Sequence, residues 1–153
     1  MLNDSGWMQV LSKVLRPAFG LALFLSQFTA TRDTLFTESG ALLGLGVVLI
    51  GAGVGLWVSA SRHLQRVKNQ DIFAQTGPYQ VVRHPIYASI YLFSLGLGFL
   101  FFAWAWFGVL LVFAPLWVME CRAEEREMER IHGPAYRTYQ QRTGMFFPKV
   151  QLK

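Results

Sequence analysis

The chain has 153 residues, of which 53% are hydrophobic and 15% charged, and it carries a formal net charge of +5 at pH 7. That length holds one domain, 1–153, and the charged fraction lies well below the roughly 25% usual for a soluble domain. A lone cysteine, Cys121, excludes an intrachain disulfide, and a basic excess in so apolar a chain suits anionic lipid rather than nucleic acid.

Three windows contain no Asp, Glu, Lys, Arg or His: 15 residues from Pro17, 23 from Ser39 and 35 from Pro85. A membrane-crossing helix needs roughly 20 apolar residues. Residues 3–16 read as a short interfacial stretch leading into a first span over about 14–31, with Arg16 snorkelling. Lys13 and Arg16 ahead of Ala18–Phe28 also resemble a signal peptide, but sixteen residues precede the apolar run and the cleavage pattern is poor. The N-terminal helix is therefore expected to stay in the protein.

The second span, about 40–60, is rich in glycine at positions 44, 46, 51, 53 and 55. Small residues let helix backbones approach closely inside a membrane, and they permit a homodimer. A polar loop follows over 62–84, with a turn at Gly77-Pro78. Pro85 keeps His84 out of helical geometry and suits the first helical position, so a helix is predicted to start there. The third window is too long for one span. It reads as a helical hairpin over 85–119, with spans of about 85–102 and 105–119. The last span should run on into a charged cytoplasmic helix and break at Gly133-Pro134. Tyr136, Tyr139 and a closing Pro148 complete the segment 120–150.

The predicted fold is thus all-α and integral to the membrane, with about four transmembrane helices and a cytoplasmic C-terminal helical segment. With both termini cytoplasmic, 13 of the 14 Lys and Arg fall on one side, leaving Arg32 on the other. That is a strong positive-inside bias, and the expected location is the inner or plasma membrane of a bacterium. Trp57, Trp104, Trp106 and Trp117 fall near span ends, where interfacial aromatics are expected.

The chemistry-bearing residues gather at the two ends of the hairpin, which meet on one side of the bilayer. At one end stands GPYQVVRHPIY, residues 77–87. Arg83, His84 and the free amides of a helix start make an anion site. At the other end stands the pair Glu124-Glu125. These lie about 100° apart on a helix, so only one points directly into a given site. Glu124 is the better candidate, because Glu125 has Arg122 and Glu129 at helical spacing and suits a solvated face. Histidines 63, 84 and 132 lack metal-site spacing, and no metal is expected. No GxSxG hydrolase signature occurs, and GAGVG at 51–55 follows no strand, so it is not a phosphate loop.

From Gly77 onward the chain resembles the isoprenylcysteine carboxyl methyltransferase family, itself related more distantly to the phosphatidylethanolamine N-methyltransferases. The resemblance rests on Thr76-Gly77-Pro78-Tyr79, on Val82-Arg83-His84-Pro85-Ile86-Tyr87, and on Glu124-Glu125 followed by His132-Gly133, Tyr136, Tyr139, Arg142 and Pro148. It covers about half the residues closely and the helix layout throughout.

The resemblance implies an integral-membrane methyltransferase that uses S-adenosyl-L-methionine and releases S-adenosyl-L-homocysteine, as a protein-S-isoprenylcysteine O-methyltransferase does. By similarity, Tyr79, His84, Pro85, Ile86, Tyr87 and Glu124 touch the cofactor, and Gln65, Ile72, Phe73 and Ala74 line the same pocket. His84, Glu124 and Arg83 are the catalytic candidates. The acceptor is a lipid-like or amphipathic molecule from the bilayer, with a carboxylate, amine or thiol head. The family carries an arginine one turn before the glutamate pair, and here that position is Glu120. Glu120 and the nearby Arg122 are therefore the candidate substrate residues, and a cationic or neutral head suits the site as well as a carboxylate. Two other classes compete. A non-catalytic scaffold or lipid-binding protein has no need of RHPxY and the glutamate pair, and a small transporter needs more ionisable groups inside its spans.

Overall fold

The computed structural model describes residues 14–15, 17–22, 25, 40–67, 73–101 and 104–149. The described residues before position 26 are helical, and the elements that follow are α1 (Gly40–Val67), α2 (Pro78–Val81), α3 (Pro85–Phe101), α4 (Trp104–His132) and α5 (Pro134–Arg142). Among the described residues there is no strand, only an isolated parallel bridge between Val82 and Gly144.

Two helices, α1 and α4, are long and apolar enough to cross a membrane. Only 11% of the most apolar stretch of α1 is buried by the rest of the chain, and 28% of that of α4. A core helix of a soluble protein would be mostly covered; apolar helices left this bare associate with lipid. The expected third span, α3, is apolar over 17 residues, at the short end of spanning length. Much of the expected first span lies outside the described residues, as does Ile72.

The local sequence sets the element ends. α3 begins at Pro85 and α4 ends at His132. Gly77 (φ 61°) and Gly133 (φ 55°) adopt left-handed backbone, each just before a proline that opens a short helix. α4 runs unbroken from apolar into charged sequence. Its Pro115 costs one backbone bond, a defect that membrane helices accommodate.

Helix α3 has two different neighbours. Against α1 it packs backbone to backbone. A Cβ added at Gly53 would lie 2.7 Å from the Phe93 nitrogen, and one at Gly96 would lie 2.7 Å from the Gly46 carbonyl oxygen. Gly44, Gly51 and Gly55 sit elsewhere on α1 and meet nothing within 4 Å. Against α4 the gap is filled by rings. Phe19, Tyr87, Trp106 and Trp117 form one buried cluster with Leu110 and Cys121. Trp106 and Trp117 are only 5% and 4% exposed, which corrects their expected interfacial placement. They fill space between the hairpin helices, whereas Trp57 is exposed.

Candidate active site

The site forms where the start of α3, the charged end of α4 and the segment after α5 converge. Pro85 holds the preceding residues extended, so their amides turn outward to a neighbour. The Arg83 N–H donates to the Gly144 carbonyl at 2.8 Å and the His84 N–H to the Met145 carbonyl at 3.1 Å. The C-terminal segment is thereby strapped across the RHP turn.

Glu125 sits at the centre of this strap. Arg83 donates to its two carboxylate oxygens from Nε at 2.7 Å and from a terminal nitrogen at 3.3 Å. Gln140 Nε2 donates at 3.3 Å, and His84 Nε2 lies 3.0 Å from Oε1. Burial alone would raise the Glu125 carboxyl, but the hydrogen bonds from His84 and Arg83 and their charge outweigh it and hold the carboxyl down at about 2. An ionised carboxylate only accepts, so the His84 Nε2 carries the proton in this contact. The remaining Arg83 donors reach the Gln140 carbonyl at 3.1 Å and the Thr143 carbonyl.

This corrects two expectations. Glu125 does not belong to a solvated face; its side chain is 9% exposed against 45% for Glu124. Arg122 and Glu129 matched it in helical spacing, but the tertiary partners from α3 decide its direction. The Arg83 guanidinium, expected to await an anion, is occupied by Glu125 and by two carbonyls. It ties the strap down.

About 100° round α4 from Glu125, Glu124 faces a cavity of about 560 Å³. The Tyr87 hydroxyl donates to its Oε1 at 2.5 Å, and the His84 Nδ1 lies 3.8 Å from its Oε2. Of the expected cofactor residues, Phe73, Ala74, Tyr79, His84, Pro85, Ile86, Tyr87 and Glu124 line this one cavity. Gln65 does not; it is exposed, and its neighbour Leu64 takes the lining position. Glu120 is buried and Arg122 exposed, and neither lines the cavity.

Sequence reasoning gave no site role to Tyr136 and Tyr139, which build one wall. Phe73 stands edge-on to the Tyr136 ring at 5.3 Å and tilted to the Tyr139 ring at 5.5 Å, and the Tyr139 hydroxyl donates to the Tyr79 carbonyl at 2.6 Å. Their spacing of three on a helix was the available signal. Burial first, and then the Glu124 charge, push the Tyr79 hydroxyl up to about 12; burial, with the Glu125 charge next, raises Tyr136 equally to about 12. These phenols stay protonated at neutral pH.

The sequence pattern of the phospholipid methyltransferase family matches residues 41–135, more than half of the chain. The chain belongs to the phospholipid methyltransferase family. That family is one of membrane methyltransferases, and its members generally use S-adenosylmethionine. The matched stretch runs from α1 through the whole of α4 and stops before Tyr136. Two curated relatives are each 32% identical to it. One is the cobalt-zinc-cadmium resistance protein CzcN of Cupriavidus metallidurans, over 72% of this chain and 49% of its own length. The other is the nickel-cobalt-cadmium resistance protein NccN of Alcaligenes xylosoxydans xylosoxydans, over 74% of this chain and 53% of its own. The chain thus spans about half the length of these relatives. No solved structure matches it. Among the described residues, no three His, Cys, Asp or Glu side chains cluster so as to hold a metal ion.

Proposed function

We propose that this family member binds S-adenosylmethionine in the cavity beside Glu124 and methylates the polar head of an amphipathic acceptor that comes from the bilayer. The observation that carries the reading is the convergence of a half-exposed carboxylate, a hydrogen-bonded tyrosine and an aromatic wall in one cavity at the end of an apolar hairpin. About 560 Å³ lies within the roughly 300–1,000 Å³ of small-molecule sites. A cofactor with a sulfonium and an ammonium suits a carboxylate and a wall of π faces, so the residues fit the group.

When bound, the cofactor supplies an electrophilic methyl carbon on a positive sulfur. The chain's own residues bind, orient and exclude water. Glu124 holds the positive end, and the Tyr87 hydroxyl fixes the direction of its carboxylate. Phe73, Tyr79, Tyr136 and Tyr139 enclose the flat base. His84 and the first amides of α3 face the cofactor's carboxylate. The strap built on Arg83 and Glu125 holds these parts in register, which is the main requirement when the electrophile is already reactive.

The acceptor follows from the charges. The Arg83 guanidinium is taken by Glu125, and Glu120 stands where the isoprenylcysteine carboxyl methyltransferases carry an arginine. A neutral or amine head suits this surround better than a carboxylate, and Glu124 can take the proton that an amine must lose. The basic bias of the loops supports a site on the cytoplasmic side, with a bacterial inner membrane as its location.

The test is transfer of label from methyl-tritiated S-adenosylmethionine to membrane lipid by the purified protein. The reading expects label in the organic phase and its loss in Glu124→Gln. Binding of lipid without transfer would favour a non-catalytic lipid-binding protein.

A further inference from the structure

One wall of the cavity beside Glu124 comes from the segment that leads from Phe73 into α2 and supplies Phe73, Ala74 and Tyr79. This segment belongs to neither helix of the hairpin. On one side it is held by rings: Phe73 meets His132 at 4.9 Å as well as the two tyrosines of α5. Arg142 of α5 also donates to Gln75 Oε1 at 3.1 Å. On the other side it is held by His63 of α1. That residue precedes Leu64, which lines the cavity, but does not line the cavity itself.

His63 is half-buried, and its Nε2 lies 2.9 Å from Thr76 Oγ1. Its ring stands against Gly77, where a Cβ would sit 3.1 Å from Nδ1 and 3.4 Å from Cγ. Gly77 has φ 61°, and its missing side chain lets the imidazole approach the turn. The ring also lies 6.0 Å from that of Tyr79. Thr76 passes the constraint on, because its carbonyl accepts the Tyr79 N–H at 3.2 Å. One residue is thus tied to α1 by its side chain and to a cavity-lining tyrosine by its backbone. A hydroxyl both donates and accepts, so the contact with Nε2 forms with either imidazole tautomer. The contact is exposed, so global stability depends little on it. Its effect is local: it sets where the wall between Phe73 and Tyr79 stands.

We propose that His63 is a positioning residue for the cofactor. Through Thr76 and Gly77 it holds this wall in the arrangement that encloses the flat base. The inference rests on reading the cavity as an S-adenosylmethionine site and deepens it: a determinant of cofactor affinity lies on α1, outside both the cavity and the hairpin. Without the tie the wall is in place only part of the time, and apparent affinity falls by that fraction.

S-adenosylhomocysteine is titrated into the detergent-solubilised protein, and its dissociation rate is measured by chase. His63→Phe keeps a ring against Gly77 and removes the hydrogen bond. Thr76→Val removes the same bond from its other end with little change of shape. Each should weaken S-adenosylhomocysteine roughly three- to fivefold, through faster dissociation, with the unfolding midpoint unchanged. The double variant should be no weaker than either single one. His63→Gln, whose amide reaches Thr76 from the position of Nε2, should restore most of the affinity. Unchanged affinity in His63→Phe overturns the positioning role. So do additive losses in the double variant, no rescue by His63→Gln, or a loss matched by a lowered unfolding midpoint. A wild type that does not bind S-adenosylhomocysteine overturns the cofactor reading itself, and the role of His63 with it.

Discussion

The two seams of α3 are built in opposite ways. Toward α1, glycines bring backbones into contact, and the cavity beside Gly53 and Phe93 holds about 240 Å³. Toward α4, bulky rings hold the helices apart, and the cavities of about 560 and 720 Å³ lie there. The first seam is tight at its glycines and gives α3 a fixed position. The second leaves space between its helices, and it is tied at its charged end, where Glu125 joins Arg83, His84 and Gln140. A binding site on a membrane hairpin needs both, a rigid edge to measure from and a gap whose mouth is tied.

The contrast can be broken most severely at the tie. Glu125→Leu leaves the Arg83 guanidinium, 11% exposed, without its counter-charge. Stripping one partner from a buried pair costs about 3–5 kcal/mol, so unfolding by denaturing detergent should begin much earlier. Acid does the same reversibly. Glu125 is depressed from 4.5 to about 2 in the folded protein, so its contribution is complete above about pH 4.5 and is lost as pH falls through 2. That contribution is at most about 3 kcal/mol, and a stability profile measured from pH 6 to pH 2 should show the fall, which Glu125→Leu should lack.

The closed seam is tested next. Gly53→Leu forces a side chain into the backbone of α3 and should cost about 1–3 kcal/mol or more. Gly51→Leu, two residues away on an open face, should stay within about 0.5 kcal/mol. Equal losses at the two glycines would mean that α1 and α3 do not pack through this face. The smallest effect is expected at Gln65 and Arg122, which do not line the cavity; alanine at either should leave cofactor affinity unchanged.

The sequence was most legible where chain chemistry is local. Pro85 and Gly133-Pro134 mark helix ends by steric rules that need no partner, and the structure ends its helices there. The gathering of Tyr79, the RHPIY run and Glu124 was also readable, because the hairpin's length forces its ends together. What the sequence hid were choices made by tertiary partners. Glu125 looked solvated beside Arg122 and Glu129, yet Arg83, 42 positions earlier, turns it inward. Trp106 and Trp117 stood where interfacial rings stand, yet they fill the gap between α3 and α4. Periodicity locates a residue on its own helix and says nothing of which neighbour fills the space beside it.

The central claim is that the cavity at the open seam holds S-adenosylmethionine through Glu124. Equilibrium titration of S-adenosylmethionine into the purified protein measures this directly, beside Glu124→Gln. The account predicts saturable binding of one molecule per chain, weakened about tenfold or more in the variant, with the unfolding midpoint of the variant unchanged. No binding to the wild type, or the same affinity in both proteins, would contradict it.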